Sequence, residues 1–145
     1  IIVMKDYDIR ECSNEEADFV IDKLVEYNLS KVASTQEIDF LNIDRVVEDV
    51  KGNIIAGILA KMYCWNCLYI DVLWVEEGYR KDGLGSKLLK EIENIAIEKG
   101  CHLIHLDTFD FQAKDFYIKH GYEVFGALDE CPKKHKRYYL KKLIK

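Results

Sequence analysis

A glycine-containing segment, Arg80-Lys81-Asp82-Gly83-Leu84-Gly85-Ser86, has the composition of a phosphate-binding loop. It follows an apolar run from Leu68 to Val75 that predicts a strand, and it opens a run of apolar residues with the 3.6-residue period of a helix. Glycine at a strand-to-helix turn lets backbone N–H groups converge, because no Cβ atom obstructs them. The unpaired N–H groups and the positive dipole of the helix start favour an anion, so the segment predicts a site for a group such as pyrophosphate.

The spacing of the glycines separates this segment from two other phosphate-binding loops. It has no G-x-x-x-x-G-K-[ST] pattern, which argues against a P-loop NTPase. The dinucleotide pattern G-x-G-x-x-G would need a third glycine where Leu88 stands. A plain glycine turn with a charged rim is the alternative for this segment taken alone.

A second segment, residues 107–122, supports a functional role for the first. It reads D-T-F-D-F-Q-A-K-D-F-Y-I-K-H-G-Y and predicts a strand that leads into a short helix, with a glycine placed for a left-handed C-cap. The distance between the segments suits a helix of about fifteen residues, a turn at Gly100 and one strand. The residues that follow the pattern A-x-x-F-Y-x-x-x-G-F/Y are Ala113, Phe116, Tyr117, Gly121 and Tyr122.

Together the two segments resemble the GNAT superfamily of N-acetyltransferases, whose Arg/Gln-x-x-Gly-x-Gly/Ala loop cradles the pyrophosphate of acetyl-CoA. The resemblance is specific from Tyr63 to Phe125 and extends more loosely to both ends. It implies an α/β fold with a mixed, mostly antiparallel central sheet, splayed central strands and helices on both faces. It also implies one domain over residues 1–145 that transfers the acetyl group of acetyl-CoA to a primary amine by direct attack, with no metal and no covalent enzyme intermediate.

The resemblance places acetyl-CoA in the gap between the splayed strands. Main-chain groups near Leu73–Val75 would pair with the pantetheine arm, and one of their N–H groups would polarise the thioester carbonyl. The glycine segment would surround the pyrophosphate. The residues expected to bind the cofactor are Leu73, Trp74, Val75, Arg80, Lys81, Asp82, Gly83, Leu84, Gly85, Ser86, Gln112, Phe116 and Tyr117.

Tyr117 matches the family tyrosine that stands close to the thioester sulfur. A phenol with a pKa of about 10 is a suitable proton donor to a departing alkyl thiolate. The alternative is a core aromatic side chain on an amphipathic helix, beside Phe116. Position and motif together favour the catalytic or cofactor-binding role.

No motif fixes the general base that deprotonates the amine, and some GNAT enzymes use an ordered water. The candidates are Asp71 on the central strand and His105 and Asp107 on the next strand. Strict alternation would put Asp71 on one face with Leu73 and Val75, and His105 on one face with Asp107. Asp71 is therefore either the base or a buried, hydrogen-bonded structural residue. His105 has a suitable intrinsic pKa, but a lone strand histidine is more often a satisfied core residue.

Asp110 departs from the family pattern. Many GNAT proteins carry an asparagine that contacts CoA at this position, three residues before the alanine of the motif. Aspartate loses the amide donor and adds negative charge near an anionic cofactor. We therefore expect Asp110 to cap the helix at Ala113.

The N-terminal third of the chain predicts fewer specific features. Residues 1–10 suggest an edge strand, and Ser13-x-x-Glu16 is a capping box for a helix that runs to about Tyr27. Residues 28–42 predict a second short helix or a loop on the substrate side.

Hairpins and strands are predicted around these segments. Lys51-Gly52-Asn53 signals a hairpin between two apolar runs, and Gly57 suggests a bulge or a close backbone approach. A second hairpin is expected at Cys64–Cys67, and Cys101 is expected in the core. The remaining predictions are strands over 103–107, 123–125 and 137–143 and a helix over 112–120.

Composition limits the class of protein. A chain of 145 residues predicts one domain, and a net charge of −5 argues against non-specific nucleic-acid binding. No apolar run approaches 18 residues and no signal-peptide pattern is present, so we expect a cytoplasmic protein that is not bound to membranes, with five reduced cysteines.

The C-x-x-C at Cys64–Cys67 is weak evidence for zinc or redox chemistry, since only Cys131 and His135 offer further ligands at a tolerable spacing.

The acceptor is not encoded by a motif. A small-molecule amine is expected rather than a protein, because no peptide-docking signature is present, and homodimers are common in the family. The basic residues Lys133–Arg137 and Lys141–Lys142 predict a solvated turn and an edge strand protected by its lysines, with contact to the 3′-phosphate of CoA or to an acidic partner as the alternative. A non-catalytic, acyl-CoA-binding regulatory module on the same fold stays open as a second function, because no base is obvious.

Overall fold

The structure, a computed structural model, describes residues 5–144. They fall into two compact units, of which the first ends at Ala33 and the second begins at Ser34. The single domain over residues 1–145 therefore stays a prediction. Within the described range, no helix is both long and apolar enough to cross a membrane.

The N-terminal unit contains one helix, α1 (Asn14–Lys31). The predicted capping box is confirmed, because the Glu16 N–H donates to Ser13 Oγ at 3.2 Å and the Ser13 N–H donates to Glu16 Oε1 at 3.0 Å. Arg10 also donates to the Glu16 carboxylate, and these hydrogen bonds lower the pKa of Glu16 to about 2. The helix continues four residues past the predicted end at Tyr27, and none of its residues is buried.

One prediction for this end of the chain is wrong, because residues 5–10 form no strand; residues 1–4 of the predicted edge strand lie outside the described residues. Of the two alternatives for residues 28–42, the second helix does not form. Residues 28–31 are the last turn of α1, and residues 32–39 are neither helix nor strand before the first strand begins at Phe40.

The second unit is a six-stranded mixed sheet with two helices, as predicted for the fold class. The strands are β1 (Phe40–Glu48), β2 (Ile54–Tyr63), β3 (Cys67–Val75), β4 (Leu103–Phe109), β5 (Glu123–Asp129) and β6 (Lys136–Leu143). The helices are α2 (Leu84–Glu98) and α3 (Lys114–Lys119). The spatial order is β1-β2-β3-β4-β6-β5, in which β3 and β4 are parallel and every other neighbouring pair is antiparallel.

Both predicted hairpins are confirmed. The turn between β1 and β2 includes Gly52, whose φ of +85° suits a residue without a Cβ atom. Gly57 marks a close backbone approach, since a Cβ atom there would lie 3.4 Å from the Arg45 carbonyl oxygen. The cysteines of the second hairpin are free thiols, and no metal-binding group of three His, Cys, Asp or Glu side chains occurs among the described residues.

The hydrophobic core lies between one face of the sheet and the helices α2 and α3. The largest side chains that are fully removed from solvent are Ile58, Leu68, Leu89, Ile92, Ile104 and Leu140, and Cys101 is buried with them as predicted. Helices on both faces of the sheet stay a prediction, because α1 belongs to the other unit.

A charged group is buried beside this core. The Glu93 carboxylate of α2, only 6% exposed, accepts hydrogen bonds from Tyr122 Oη at 2.8 Å and from Lys142 Nζ at 2.9 Å. Lys142 Nζ also donates to the His120 carbonyl oxygen at 2.8 Å. Because a buried carboxylate needs a compensating cation, this network ties α2, the end of α3 and β6 together.

Candidate active site

The site begins where the two parallel strands separate. Residues 67–70 of β3 pair with residues 103–106 of β4, but β3 continues to Val75 and β4 to Phe109 without pairing with each other. A cleft of about 650 Å³ opens between the separated ends. The free edge of β3 therefore offers main-chain N–H and C=O groups to a ligand in the cleft.

A bulge in β3 changes which side chains reach this cleft. Leu59 of β2 pairs with Val72, but the next residue, Ala60, pairs with Ile70, so Asp71 has no counterpart. Both Asp71 and Leu73 line the cleft, but Asp71 is exposed whereas Leu73 packs against the core. The prediction that Asp71 shares a face with Leu73 and Val75 is wrong, because a bulge inserts one residue and breaks the alternation. The buried structural role is wrong for the same reason.

The predicted phosphate loop lies at one end of the cleft. A 3₁₀ turn, Glu77–Asp82, leads into Gly83, whose φ of +75° places it in the left-handed region immediately before α2. The first helical hydrogen bond joins the Lys87 N–H to the Gly83 carbonyl oxygen at 3.1 Å. The N–H groups of residues 84–86 therefore have no acceptor within the helix, and such unpaired N–H groups at a helix start bind anions.

Two contacts hold this end of α2 in place. A Cβ atom on Gly85 would lie 3.4 Å from Cζ of Phe116, and the Ser86 hydroxyl lies 3.0 Å from Nε2 of His120. On the strand side, Nε of Arg80 donates to the Val75 carbonyl oxygen at 3.2 Å. The loop is therefore anchored both to α3 and to the end of β3.

The structure brings most of the predicted cofactor residues together. Those that line the cleft are Leu73, Trp74, Val75, Arg80, Gly83, Gly85, Ser86, Gln112, Phe116 and Tyr117. Lys81, Asp82 and Leu84 belong to the same turn but do not line the cleft.

Tyr117 stands inside the cleft on α3. Tyr117 is only 5% exposed, and its hydroxyl makes no hydrogen bond to a described residue. No buried polar side-chain atom in the described range lacks a partner, so this hydroxyl is the accessible part of the side chain. Burial raises the pKa of Tyr117 to about 12, so the hydroxyl is protonated at neutral pH and is free to donate a hydrogen bond into the cleft.

Asp107 lines the cleft, directly after the last residue of β4 that pairs with β3. Its carboxylate accepts hydrogen bonds from Tyr69 Oη at 2.8 Å, from Arg137 Nε at 2.9 Å and from Arg137 Nη2. Burial and this hydrogen bond raise the pKa of Tyr69 to about 12. The three side chains connect β3, β4 and β6 across the point where the sheet opens.

His105, a predicted candidate base, does not line the cleft. Its Nε2 atom lies 2.7 Å from the Tyr63 hydroxyl, and its ring centroid is 5.2 Å from that of Tyr69. Burial lowers the pKa of His105, an effect that Asp107 partly opposes. The surroundings fit the alternative of a half-buried histidine whose ring is satisfied by its neighbours.

Asp110 does not cap α3, so that prediction is wrong. Ala113 occupies the N-cap position of α3, and no side-chain hydrogen bond caps this helix. The Asp110 carboxylate instead accepts hydrogen bonds from the Lys136 N–H and from the His135 ring, both at 2.9 Å. These contacts hold the pKa of Asp110 below its ordinary value. Gln112 folds back at the same turn, because its side-chain oxygen accepts from the Phe109 N–H at 2.7 Å.

Sequence reasoning missed two contributors to the site. Phe111 lines the cleft and stacks on Phe109, with ring centroids 5.3 Å apart. Arg137 was expected in a solvated turn, but it binds Asp107 with a side chain that is only one-third exposed. The basic cluster gave no signal for this contact, which depends on the pairing of β4 with β6.

Comparisons with known proteins agree with this geometry. The sequence profile of the Acetyltransferase (GNAT) family matches residues 9–122. The chain is 36% identical over 83 residues to blasticidin-S acetyltransferase of Streptomyces morookaense, a match that covers 57% of this chain and 60% of that protein. It is 31% identical over 121 residues to an acetyltransferase of Agrobacterium fabrum, covering 83% of this chain and 84% of that one.

A solved structure gives the same fold over nearly the whole chain. An acetyltransferase from Bacillus cereus superposes with a TM-score of 0.87 at 40% sequence identity, covering 95% of this chain and 98% of that chain. The family profile covers well over half of the sequence and includes both the phosphate loop and Tyr117. The chain belongs to the GNAT family of acetyltransferases.

Proposed function

We propose that this protein transfers the acetyl group of acetyl-CoA to a primary amine of a small molecule. The observation that carries the proposal is the cleft between β3 and β4, with the unpaired N–H groups of α2 at one end and the free hydroxyl of Tyr117 inside it. The name of the Streptomyces relative, blasticidin-S acetyltransferase, supports a small-molecule acceptor.

The donor would bind along the free edge of β3. Its pyrophosphate would accept hydrogen bonds from the N–H groups of residues 84–86, with Arg80 at the rim. Main-chain groups of Leu73–Val75 would pair with the pantetheine arm, and one N–H would stabilise the negative charge that develops on the thioester oxygen. The cleft has the volume of an ordinary small-molecule site, about 650 Å³.

Asp71 is the candidate base that the geometry favours. It lines the cleft at the bulge, whereas His105 lies outside it and binds Tyr63. Asp107 also lines the cleft, but its carboxylate already accepts hydrogen bonds from Tyr69 and Arg137.

In the reaction, Asp71 takes a proton from the acceptor ammonium, directly or through one water. The amine lone pair then forms the C–N bond at the thioester carbon. The electron pair of the breaking C–S bond leaves with the sulfur, and the second proton of the amine passes to the departing thiolate, which gives the amide and the CoA thiol.

Tyr117 assists the departure of the thiolate. With a pKa of about 12, it is a weaker acid than a free phenol, so full proton transfer to the departing thiolate would be uphill. A hydrogen bond from the Tyr117 hydroxyl to the developing thiolate needs no such transfer. We therefore assign this residue to stabilisation of the leaving group, with the proton following as the product departs.

Calorimetric binding of acetyl-CoA tests the donor site, with the variant Gly83→Asp/Gly85→Asp as the matched control. We expect wild-type binding and its loss in the variant, because two carboxylates would repel the pyrophosphate. Release of CoA thiol with a panel of polyamines, aminoglycosides and amino acids then tests the transfer. A wild-type protein that binds no acetyl-CoA would refute the proposed function.

A further inference from the structure

The side chain of Gln112 is held at the end of β4, on the side of the cleft that lies across from β3. Gln112 lies in the turn between β4 and α3 and lines the cleft. Its backbone N–H donates to the Phe109 carbonyl oxygen at 3.0 Å. Its side-chain oxygen accepts from the Phe109 N–H at 2.7 Å and from the Thr108 hydroxyl at 3.1 Å. Because Thr108 is only 4% exposed, the amide rests on a buried hydroxyl and on the last residue of the strand.

These hydrogen bonds fix the orientation of the Gln112 amide. A backbone N–H can only donate, so the atom that meets the Phe109 N–H is the side-chain oxygen and not the nitrogen. The NH₂ group therefore lies on the side of the planar amide away from the end of β4, and it makes no hydrogen bond to a described residue. Since no buried polar side-chain atom in the described range lacks a partner, this NH₂ group is open to solvent.

The other side chains of this turn offer no such donor. The Asp110 carboxylate is engaged by the Lys136 N–H and the His135 ring, and an ionised carboxylate has no proton to give. Phe111 is apolar, and the Thr108 hydroxyl proton is directed to Gln112. Gln112 thus takes up two donors at the end of β4 and presents two amide protons of its own in their place.

A ligand that pairs with the free edge of β3 has a second edge that also needs partners. The pantetheine arm contains two amide groups, and an extended chain can direct only some of its polar groups toward one strand. A carbonyl oxygen that points the other way faces β4. Such an oxygen is costly to remove from water without a hydrogen bond, so it needs a donor on that side.

We propose that the NH₂ group of Gln112 donates a hydrogen bond to a carbonyl oxygen of the pantetheine arm, on the side of the arm that faces away from β3. Thr108 is then a positioning residue, because its hydroxyl holds the Gln112 oxygen. The inference rests on the proposed acetyl-CoA site and identifies the atom of Gln112 that contacts the donor.

Nuclear magnetic resonance of the side-chain amides tests this contact. The chain contains only two glutamines, Gln36 and Gln112, so Gln36 is an internal control. Its Nε2 atom already donates to the Ile38 and Met62 carbonyl oxygens, and it does not line the cleft. In protein labelled with ¹⁵N-glutamine, CoA should shift an NH₂ proton of Gln112 downfield and leave the Gln36 signals in place. The spectrum of Gln112→Met assigns the signals.

Gln112→Glu separates binding from a structural role of the side chain. A carboxylate still accepts from Phe109 and Thr108 but has no NH₂ group, so a purely structural residue would keep its affinity for CoA in this variant. We expect Gln112→Glu and Gln112→Met each to lose about two- to twelvefold in affinity by calorimetry, the effect of one hydrogen bond. The loss in Gln112→Glu should persist at high salt, which screens the added charge. Thermal unfolding of each variant verifies that it is folded.

Three results would overturn the inference while leaving the acetyl-CoA site intact. The first is a CoA complex in which the Gln112 signals do not shift, and the second is wild-type affinity in Gln112→Glu. The third is a shift of the Gln112 signals by ADP, which has the pyrophosphate but no pantetheine arm and would assign the contact to phosphate. Absence of any binding of CoA and acetyl-CoA to the wild type would instead refute the proposed function itself, and the inference with it.

Discussion

The ring of Phe116 lies over Gly85 with room for no more than a Cβ atom between them, so the start of α2 and the helix α3 lie close together. A Cβ atom on residue 85 would lie 3.4 Å and 3.5 Å from two ring carbons of Phe116. Phe116 precedes Tyr117, whose side chain is buried in the core. This contact therefore links the phosphate loop to the helix that carries Tyr117.

The effect of a substitution at Gly85 on stability should depend sharply on the size of the new side chain. Gly85→Ala adds a methyl group at an ordinary contact distance and removes backbone freedom within a helix, so it should raise the unfolding free energy by up to about 1 kcal/mol. Gly85→Leu would overlap Phe116 and should cost about 1–3 kcal/mol. Urea unfolding of both variants measures this, with acetyl-CoA calorimetry alongside. Equal stability of the two variants would show that the contact is loose.

The phosphate loop is predictable from sequence because its determinants are local. Gly83 supplies the left-handed residue before α2, and the apolar period of the helix follows at once. The exposed position of Asp71 is not predictable in this way. It depends on the register between β2 and β3, which the alternation of side chains along a single strand does not encode.

The position of Asp110 is also not predictable from its sequence neighbours, because it depends on a contact with a distant part of the chain. Its sequence neighbours predict a helix cap, but its carboxylate binds the Lys136 N–H, 26 residues further along the chain. A capping aspartate and one that binds the adjacent strand have the same local pattern. Only the pairing of β4 with β6 distinguishes them.

Removal of the Tyr117 hydroxyl should slow transfer without unfolding the protein. Tyr117→Phe keeps the buried ring, and loss of one positioned donor to the leaving group should lower kcat by about 10²–10⁴-fold. Because the pKa of Tyr117 is about 12, the wild type should show no loss of activity from its ionisation up to about pH 10. Steady-state kinetics with thiol detection measures both effects. A variant with wild-type kcat would show that Tyr117 only packs.

Removing the cation that pairs with the buried Glu93 should destabilise the fold. Lys142→Met removes the Nζ donor, while the carboxylate remains only 6% exposed, so the unfolding free energy should fall by about 3–5 kcal/mol. The double variant Glu93→Gln/Lys142→Met should be less destabilised than the sum of the single changes, because a neutral amide replaces the unpaired charge. Additive losses in denaturant unfolding would contradict the coupling.

The N-terminal capping box should respond to acid at an unusually low pH. Glu16 has a folded-state pKa of about 2, lowered first by the hydrogen bond from Arg10 and then by the one from the Ser13 N–H. The stability that the ionised Glu16 adds to α1 is therefore fully present above its unfolded-state pKa and is lost as the pH falls through 2. Carboxyl-carbon NMR of the full chain measures the midpoint. Arg10→Gln should move it upward, and so should high salt, because the pair is exposed to solvent. A midpoint near 4.5 in the wild type would contradict the hydrogen bonds described for Glu16.

Asp71 and His105 can be distinguished as candidate bases by paired isosteric substitutions. Asp71→Asn keeps the size of the side chain in the cleft but removes the group that accepts the amine proton, so kcat/KM should fall by about 10²–10⁴-fold near neutral pH. His105→Gln keeps a polar partner for Tyr63 outside the cleft and should retain activity within a few-fold. An external base should partly restore Asp71→Asn, since such rescue requires a missing proton acceptor rather than a damaged fold. The reverse ranking of the two variants in steady-state kinetics would transfer the assignment to His105, and full activity of both would leave deprotonation to a water molecule that neither side chain activates.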